Sequence, residues 1–206
     1  MIDRLSEVCG RPVSRETFAL LKRFVALLTA ANAGQNLIAL STLDDVWERH
    51  IADSAQLVRF EPKAGASWID IGSGAGLPGV VIALLTASPV TLVEPRRLRV
   101  DFLNHLSDEL GLTSRVRVVH GKADKATGKH DVITARAVAS ADRLLAMTLH
   151  LSHRGTVWLL PKGKSGNSDL AEAQRTWQGV FRSEVSLTDP QAVILVASGV
   201  YAKGRR

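Results

Sequence analysis

Cysteine is nearly absent from this sequence, and long hydrophobic runs are missing altogether. Cys9 is the single cysteine in 206 residues, which excludes an internal disulfide and any zinc site built from several cysteines. No apolar run approaches the roughly 20 residues that a membrane-spanning helix needs. The first residues, Met1-Ile2-Asp3-Arg4, lack the apolar segment of a signal peptide. We therefore expect a cytoplasmic protein with no membrane partner.

Positive charge exceeds negative charge in an otherwise ordinary composition. Apolar residues make up 46% and charged residues 22% of the chain, which is typical of a globular protein. The net charge is +6 and the pI is about 9.9. Such a balance is typical of proteins that bind a polyanion such as nucleic acid, but it is also compatible with a merely solvated basic surface. The basic residues include three clusters: Arg96, Arg97 and Arg99; Lys162 and Lys164; Lys203, Arg205 and Arg206.

The hydrophobic pattern divides the chain into a helical region, residues 1–60, and a region of alternating strands and helices, residues 61–206. After a first strand that leads into Gly72, the predicted strands are Val90–Glu94, Arg115–His120, Asp131–Ala135, Thr156–Leu160, Arg182–Leu187 and Ala192–Ala197. The predicted helices between them are Leu77–Leu85, Leu98–Leu110, Ala141–Leu149 and Asp169–Trp177. Only four residues separate the last two strands, which allows a hairpin but no parallel crossover. We predict an α/β fold with a Rossmann-like, mostly parallel sheet and one antiparallel strand, preceded by a helical N-terminal region.

A glycine-rich turn follows the first strand, in the stretch Trp68-Ile-Asp-Ile-Gly-Ser-Gly-Ala-Gly-Leu-Pro-Gly79. Strand, glycine turn and helix in this order form a cradle for a nucleotide cofactor, because glycines let the backbone approach the ligand closely. Two registers overlap here. Gly72-x-Gly74-x-Gly76 suits S-adenosylmethionine, whereas Gly74-x-Gly76-x-x-Gly79 matches the dinucleotide pattern. This stretch alone leaves the cofactor undecided.

Acidic residues around the cradle help to separate the two cofactors. Glu94 ends the second strand, where a carboxylate can accept hydrogen bonds from ribose hydroxyls of either NAD or S-adenosylmethionine. Asp70 lies just before the first glycine, where it would disfavour a pyrophosphate and favour the ammonium group of S-adenosylmethionine. Asp124, after the third strand, can accept from an adenine amino group. The carboxylates therefore favour S-adenosylmethionine.

Further motifs give the chain a specific resemblance. Asn36-Leu-Ile38, Arg49-His-Ile-Ala-Asp-Ser54 and the glycine stretch are joined by Ala135-Arg-Ala-Val-Ala139 and Lys162-Gly163. Together they resemble the glucose-inhibited division protein B family over nearly the whole chain. That family comprises bacterial N7-guanine methyltransferases of 16S ribosomal RNA. The resemblance implies a class I methyltransferase fold, S-adenosylmethionine as methyl donor with S-adenosylhomocysteine as product, no metal, and the small ribosomal subunit as partner.

The resemblance also implies which residues form the site. By position, Gly72, Leu77, Ala123, Asp124 and Arg136 would lie at the cofactor, with Glu94 at its ribose and Gly74 in the glycine turn. Arg136 is also the candidate catalytic residue. The sequence departs from the family at Leu98 and near Asp101, where members often have basic residues, so RNA contacts along that helix are in question.

The absence of two chemical devices is consistent with guanine N7 as the target. The fourth strand ends Thr134-Ala-Arg136 and lacks the Asp-Pro-Pro-Tyr type of sequence that grips an exocyclic amine, and Cys9 is badly placed to serve as a nucleophile. N7 carries a lone pair and no proton, so in-line placement needs no general base. Arg136 must then contact guanine O6 alone, a phosphate or the cofactor, because a donor on N7 would block the attack.

Several alternatives stay open at the level of sequence. His50 and Asp53 share a helix face, where they can form a pair at the cofactor mouth, or His50 can simply anchor the helical region. Lys162 and Lys164 can meet phosphate or face solvent. The competing functions are an NAD(P)-linked oxidoreductase and a non-catalytic RNA-binding assembly factor that retains the fold. We expect a monomer, since no exposed apolar stripe demands a partner copy.

Overall fold

A seven-stranded sheet forms the centre of the protein in a computed structural model, which describes residues 1–204. Its strands are β1 (Trp68–Ile71), β2 (Val90–Glu94), β3 (Val116–His120), β4 (His130–Thr134), β5 (Ser152–Lys162), β6 (Trp177–Val185) and β7 (Val193–Ala202). Their order across the sheet is β3-β2-β1-β4-β5-β7-β6. The first five strands are parallel, and β7 runs antiparallel to both of its neighbours. The predicted fold class, with one antiparallel strand and a final hairpin, is confirmed.

Helices cover both faces of this sheet. They are α1 (Ile2–Cys9), α2 (Arg15–Gln35), α3 (Asp53–Ala55), α4 (Gly79–Leu85), α5 (Arg97–Glu109), α6 (Ala141–Thr148) and α7 (Gly166–Thr176). Short 3-10 turns span Leu40–Thr42, Gln56–Phe60, Ala123–Lys125 and Leu149–Leu151. A π-helical turn, Trp47–Ala52, leads directly into α3. The N-terminal region is therefore helical, as its pattern predicts.

Alternate residues of β1 point into two different cores. Trp68 packs on the side of α1 and α2, in one apolar cluster with Leu5 and Phe24. Ile69 packs on the opposite side with Leu144 of α6 and other residues of the second cluster. Helix, sheet and helix thus form three layers. Because the N-terminal helices share a core with the sheet, the division at residue 60 stays a prediction about domain organisation.

Several element boundaries differ from the sequence prediction for physical reasons. α4 begins at Gly79 rather than at Leu77, because the glycines before it hold left-handed backbone. β5 extends beyond the predicted Thr156–Leu160 because it pairs with β4 at one end and with β7 at the other. β6 begins at Trp177, where a helix was expected to end, and its mostly exposed side chains give it little hydrophobic pattern. None of the helices within residues 1–204 is long and apolar enough to cross a membrane. Arg205 and Arg206, of the C-terminal basic cluster, lie outside the described residues.

Candidate active site

The glycine turn after β1 adopts a backbone conformation that residues other than glycine rarely adopt. Gly72, Gly74 and Gly76 have φ angles of +71°, +52° and +83°, all in the left-handed region. Gly79 is required for a different reason, because a side chain there would meet Leu92 at 2.3 Å. The four glycines therefore serve two purposes: Gly72, Gly74 and Gly76 allow the left-handed backbone of the turn, and Gly79 allows α4 to pack closely against β2.

Asp70 lies under this turn with one carboxylate oxygen unpartnered. The residue is 1% exposed, and its Oδ2 accepts a hydrogen bond from the N–H of Gly79 at 3.1 Å. Its Oδ1 is buried and has no partner among the described residues. Burial raises the pKa of Asp70 to about 7, although Ser73, Gly79 and Arg136 oppose that shift. A donor or cation that reached Oδ1 would stabilise the ionised carboxylate.

Glu94 connects the end of β2 to the glycine turn. It is 2% exposed, and its two oxygens accept from the backbone N–H groups of Gly74 at 2.9 Å and Arg96 at 2.8 Å. The sequence places this carboxylate beside the cradle, and the structure agrees with that position. Since each carboxylate oxygen can accept more than one hydrogen bond, Glu94 retains capacity for further donors.

The other predicted cofactor residues lie on both sides of the turn. Leu77 is 4% exposed and its side chain belongs to the core on the α1 and α2 side, so only its backbone faces the turn region. Ala123 and Asp124 lie in the 3-10 turn after β3. Together with Val138 and Ala139 they line a cavity of about 460 Å³, here called the Asp124 cavity.

Arg136, which follows β4, contacts the helical N-terminal region. Its Nη1 lies 3.3 Å from Oδ2 of Asp53, and Nη1 and Nη2 both lie 3.3 Å from Nδ1 of His50. His50 Nε2 lies 2.8 Å from Oγ1 of Thr42, which itself donates to the carbonyl of Ala39. With Arg136 donating to Nδ1, His50 carries its proton on Nε2 and donates it to Thr42. Within residues 1–204, His50 and Asp53 both contact Arg136 but make no direct hydrogen bond to each other, so the pair expected as one alternative from the sequence is not formed.

Burial lowers the pKa of His50 to about 4, and the positive charges of Arg136 and Arg49 add to the effect. The ring is therefore neutral near pH 7, as its acceptor role requires. Asp53, for its part, accepts through Oδ1 from Gln56 and Thr188. The Gln56 side chain in turn accepts from the N–H of Leu187. This polar network fixes Arg136 between the helical region and the loop that connects β6 and β7.

A second cavity, of about 440 Å³, opens beside this network. We call it the Arg136 cavity; its lining includes Arg49, Asp53, Arg136, Pro161, Thr188 and Asp189. It lies at the carboxyl ends of β4 and β5, the edge at which open α/β sheets bind their ligands. The segment of residues 136–140 separates it from the Asp124 cavity, since Ala137 lines the first and Val138 the second.

This separating segment is held in an unusual position. Ala137 has a φ angle of +56°, which is strained for a residue with a side chain. Val138 lies over the glycine turn, so that a side chain on Gly72 would meet its Cγ2 at 2.7 Å. Lys162 donates to the carbonyl of Ala139 at 2.6 Å and to Oδ2 of Asp169 at 2.7 Å. The Lys162 amino group is thus already paired and its side chain is 13% exposed, whereas Lys164 is exposed.

Comparison with known proteins identifies the family. The family model for GidB, rRNA small subunit methyltransferase G, matches residues 17–191. The chain belongs to this family. It is 48% identical over 196 residues to the ribosomal RNA small subunit methyltransferase G of Rhizorhabdus wittichii, covering 94% of this chain and 90% of that protein. The protein of the same name from Zymomonas mobilis is 44% identical over 207 residues, covering 94% and 91%.

Solved structures agree on the fold of this methyltransferase G family member. A putative S-adenosyl-L-methionine-dependent methyltransferase from Methanococcus maripaludis superposes with a TM-score of 0.57 at 11% identity, covering 80% of this chain and 94% of that chain. P. horikoshii TYW2 in complex with MeSAdo superposes with a TM-score of 0.56 at 13% identity, covering 74% and 62%. The class I methyltransferase fold is confirmed, and the NAD(P)-linked oxidoreductase is not favoured.

The structure of this family member also contains site residues that the sequence did not single out. Gln56 and Thr188 fix Asp53, and Asp189 lies 3.6 Å from Arg49 in the lining of the Arg136 cavity. A hydrogen bond between residues more than 130 positions apart leaves no local pattern, so periodicity alone gives no signal for it. Within residues 1–204, no group of three or more His, Cys, Asp or Glu side chains is arranged to hold a metal ion.

Proposed function

We propose that this protein transfers the methyl group of S-adenosylmethionine to N7 of a guanine in 16S ribosomal RNA of the small subunit, with S-adenosylhomocysteine as the second product. One observation of the structure carries the proposal: two cavities adjoin at the carboxyl edge of the sheet, on either side of the segment of residues 136–140. One contains the predicted cofactor residues Ala123 and Asp124, and the other contains Arg136. Methyl transfer needs a donor site and an acceptor site that adjoin in this way.

The residues around the glycine turn fit S-adenosylmethionine. When bound, this cofactor supplies an electrophilic methyl group on a sulfonium. Asp70 has a buried, unpartnered oxygen that suits the ammonium group, and Glu94 retains acceptor capacity for the ribose hydroxyls. Gly72 and Gly74 keep the backbone of the turn open to the ligand. Asp124 is exposed at the rim of its cavity, where it can accept from the adenine amino group.

Arg136 is the proposed catalytic residue, acting through electrostatics and placement rather than by proton transfer. Its contacts with His50 and Asp53 leave the rest of its N–H groups for guanine O6 or a phosphate. His50 is unsuited to the role of general base, because Arg136 already uses Nδ1 and the Nε2 proton is donated to Thr42. A site without a general base suits attack by N7, since that atom has no proton to lose.

The expected partner is the small ribosomal subunit or its RNA, with the enzyme working as a cytoplasmic monomer. The net charge of +6 and the exposed cations near the site, such as Arg96 and Lys164, support an RNA partner. A non-catalytic assembly factor would use the same charge without any methyl transfer, so activity separates the two.

The test is methylation of purified small subunits, and of naked 16S RNA, that lack N7-methylguanosine. Incubation with labelled S-adenosylmethionine should place one label in 16S RNA, and mapping of N7-methylguanosine should find it at a single guanine. Arg136→Ala, checked for folding, serves as the matched inactive variant. Folded protein that binds S-adenosylmethionine but labels neither substrate would refute the proposal and favour the assembly factor.

A further inference from the structure

One charged pair in the Arg136 cavity takes no part in the polar network. Nη1 of Arg49 lies 3.6 Å from Oδ2 of Asp189, beyond hydrogen-bond distance, and the two side chains are 53% and 38% exposed. The guanidinium of Arg49 donates no hydrogen bond within residues 1–204. Among the described residues, Oδ1 of Asp189 accepts only from the N–H of Gln191, at 2.9 Å. Both groups therefore have free hydrogen-bonding capacity that faces the cavity.

Two other charged groups of the cavity, Asp53 and Lys162, are already paired. Asp53 accepts from two side chains besides Arg136, and Lys162 is held by Asp169 and a backbone carbonyl. Besides the remaining N–H groups of Arg136, the capacity to recognise a polar ligand therefore lies at Arg49 and Asp189. Apolar atoms of Pro161, Val193 and Ile194 line the same cavity, which suits the flat faces of a base.

We propose that Asp189 and Arg49 read the Watson–Crick edge of the target guanine in the Arg136 cavity; this inference rests on the proposed function. Guanine presents N2–H and N1–H donors side by side, followed by the O6 acceptor. The Asp189 carboxylate can accept from both donors while the Arg49 guanidinium donates to O6. N7 lies on the other edge of the base and stays free for methylation.

The same pair disfavours adenine. Adenine presents an acceptor at N1, which would face the carboxylate lone pairs, and a donor at N6, which would face the guanidinium. Leaving these polar groups unpaired costs much binding free energy, so the pair discriminates effectively against adenine. The pair Arg49–Asp189 therefore supplies selection for guanine that is independent of the contact made by Arg136.

The two side chains are carried by parts of the chain that the polar network fixes. Arg49 belongs to the π-helical turn that also carries His50. Asp189 follows Thr188, whose hydroxyl donates to Asp53 at 3.1 Å. Recognition of the base and placement of Arg136 thus depend on one preorganised unit, as a selective site requires.

The test titrates the protein, saturated with S-adenosylhomocysteine, with guanosine, inosine and adenosine 5′-monophosphates, and follows binding by NMR. Asp189→Asn keeps an oxygen for the N–H of Gln191 but presents an amide donor to the base. We expect wild type to prefer the guanine nucleotide over the adenine nucleotide, with inosine between them because it lacks the 2-amino group. Asp189→Asn should lose about 5-fold to 150-fold of that preference. Gln191→Ala, in the same loop but outside the cavity, should retain it.

A second readout separates this inference from the proposed function. In single-turnover methylation of small subunits, Asp189→Asn should lose rate by a similar factor while binding S-adenosylhomocysteine normally. If wild type methylates the RNA but Asp189→Asn keeps both the rate and the nucleotide preference, the inference is overturned and the function stands. If no RNA is methylated but the preference for the guanine nucleotide depends on Asp189, the inferred base site is supported and the proposed function is refuted. Absence of any guanine preference in wild type overturns the inference.

Discussion

Arg136 donates hydrogen bonds to the imidazole of His50, so the ring acts as an acceptor and not as an acid. The two guanidinium nitrogens lie 3.3 Å from Nδ1, and burial together with this positive charge lowers the pKa of His50 to about 4. A protonated ring would place a second cation against the guanidinium and remove the acceptor. The contact with the neutral His50 ring therefore keeps Arg136 in place over the neutral pH range.

The first prediction concerns the chemical step, which should need no protein base. Between about pH 6 and 9 the single-turnover rate on small subunits should show no ionisation that belongs to His50. Arg136→Ala should lower the rate at least tenfold, and Arg136→Lys should restore little of it, because an ammonium cannot replace a planar fork that contacts His50 and Asp53. His50→Asn keeps an acceptor for Arg136 and should retain most of the rate. An ionisation near pH 6.5 that disappears in His50→Asn would contradict the base-free mechanism.

The second prediction contrasts two glycines of the turn. Gly74→Val should abolish binding of S-adenosylmethionine, as measured by equilibrium dialysis. The protein should still fold, because a Cβ at this position meets no atom closer than 3.5 Å. Its φ of +52° adds a strain of about 1–2 kcal/mol. Gly79→Ala should instead lower the free energy of unfolding by about 1–3 kcal/mol, since its Cβ would overlap Leu92. Unchanged cofactor affinity in folded Gly74→Val would remove the turn from the site.

The glycine turn and Glu94 were accessible to sequence reasoning because their signals are local. A short apolar strand, three alternating glycines and an acid at the end of the next strand occupy few positions, and their placement follows from the geometry of the fold. The contact of Thr188 with Asp53 joins positions 135 apart and depends on how the final hairpin packs. The partner of Lys162 was also not accessible from the sequence. A lysine after a strand suggests a phosphate contact, but only the packing of α7 reveals Asp169 as its partner.

The third prediction tests that difference between Lys162 and Lys164. Lys164 is exposed, so Lys164→Ala should reduce the salt dependence of RNA binding by about one unit in log–log slope. Lys162→Ala should leave the slope nearly unchanged and should lower the free energy of unfolding by about 1–3 kcal/mol, because Asp169 would lose its partner. Filter binding over a salt series and urea unfolding measure the two effects. A reduced slope in Lys162→Ala with unaltered stability would assign Lys162 to the phosphate backbone.

The last prediction follows from the raised pKa of Asp70. With a pKa of about 7, well above the ordinary 3.8, the carboxyl of the free protein is largely protonated near pH 6. Protonation of Asp70 therefore favours the folded state, and the corresponding stability is fully present below about pH 4 and is lost as the pH rises from there to about 7.

Binding of the cationic cofactor should reverse that balance by favouring the carboxylate. S-adenosylmethionine should therefore release close to one proton at pH 6, and its affinity should rise roughly tenfold per pH unit up to about 7. Calorimetry in two buffers of different ionisation enthalpy measures the release. Asp70→Asn retains an oxygen for the N–H of Gly79, so it should fold, bind more weakly and release no proton. Equal proton release in wild type and Asp70→Asn would assign the titration to another group and leave Asp70 only its contact with α4.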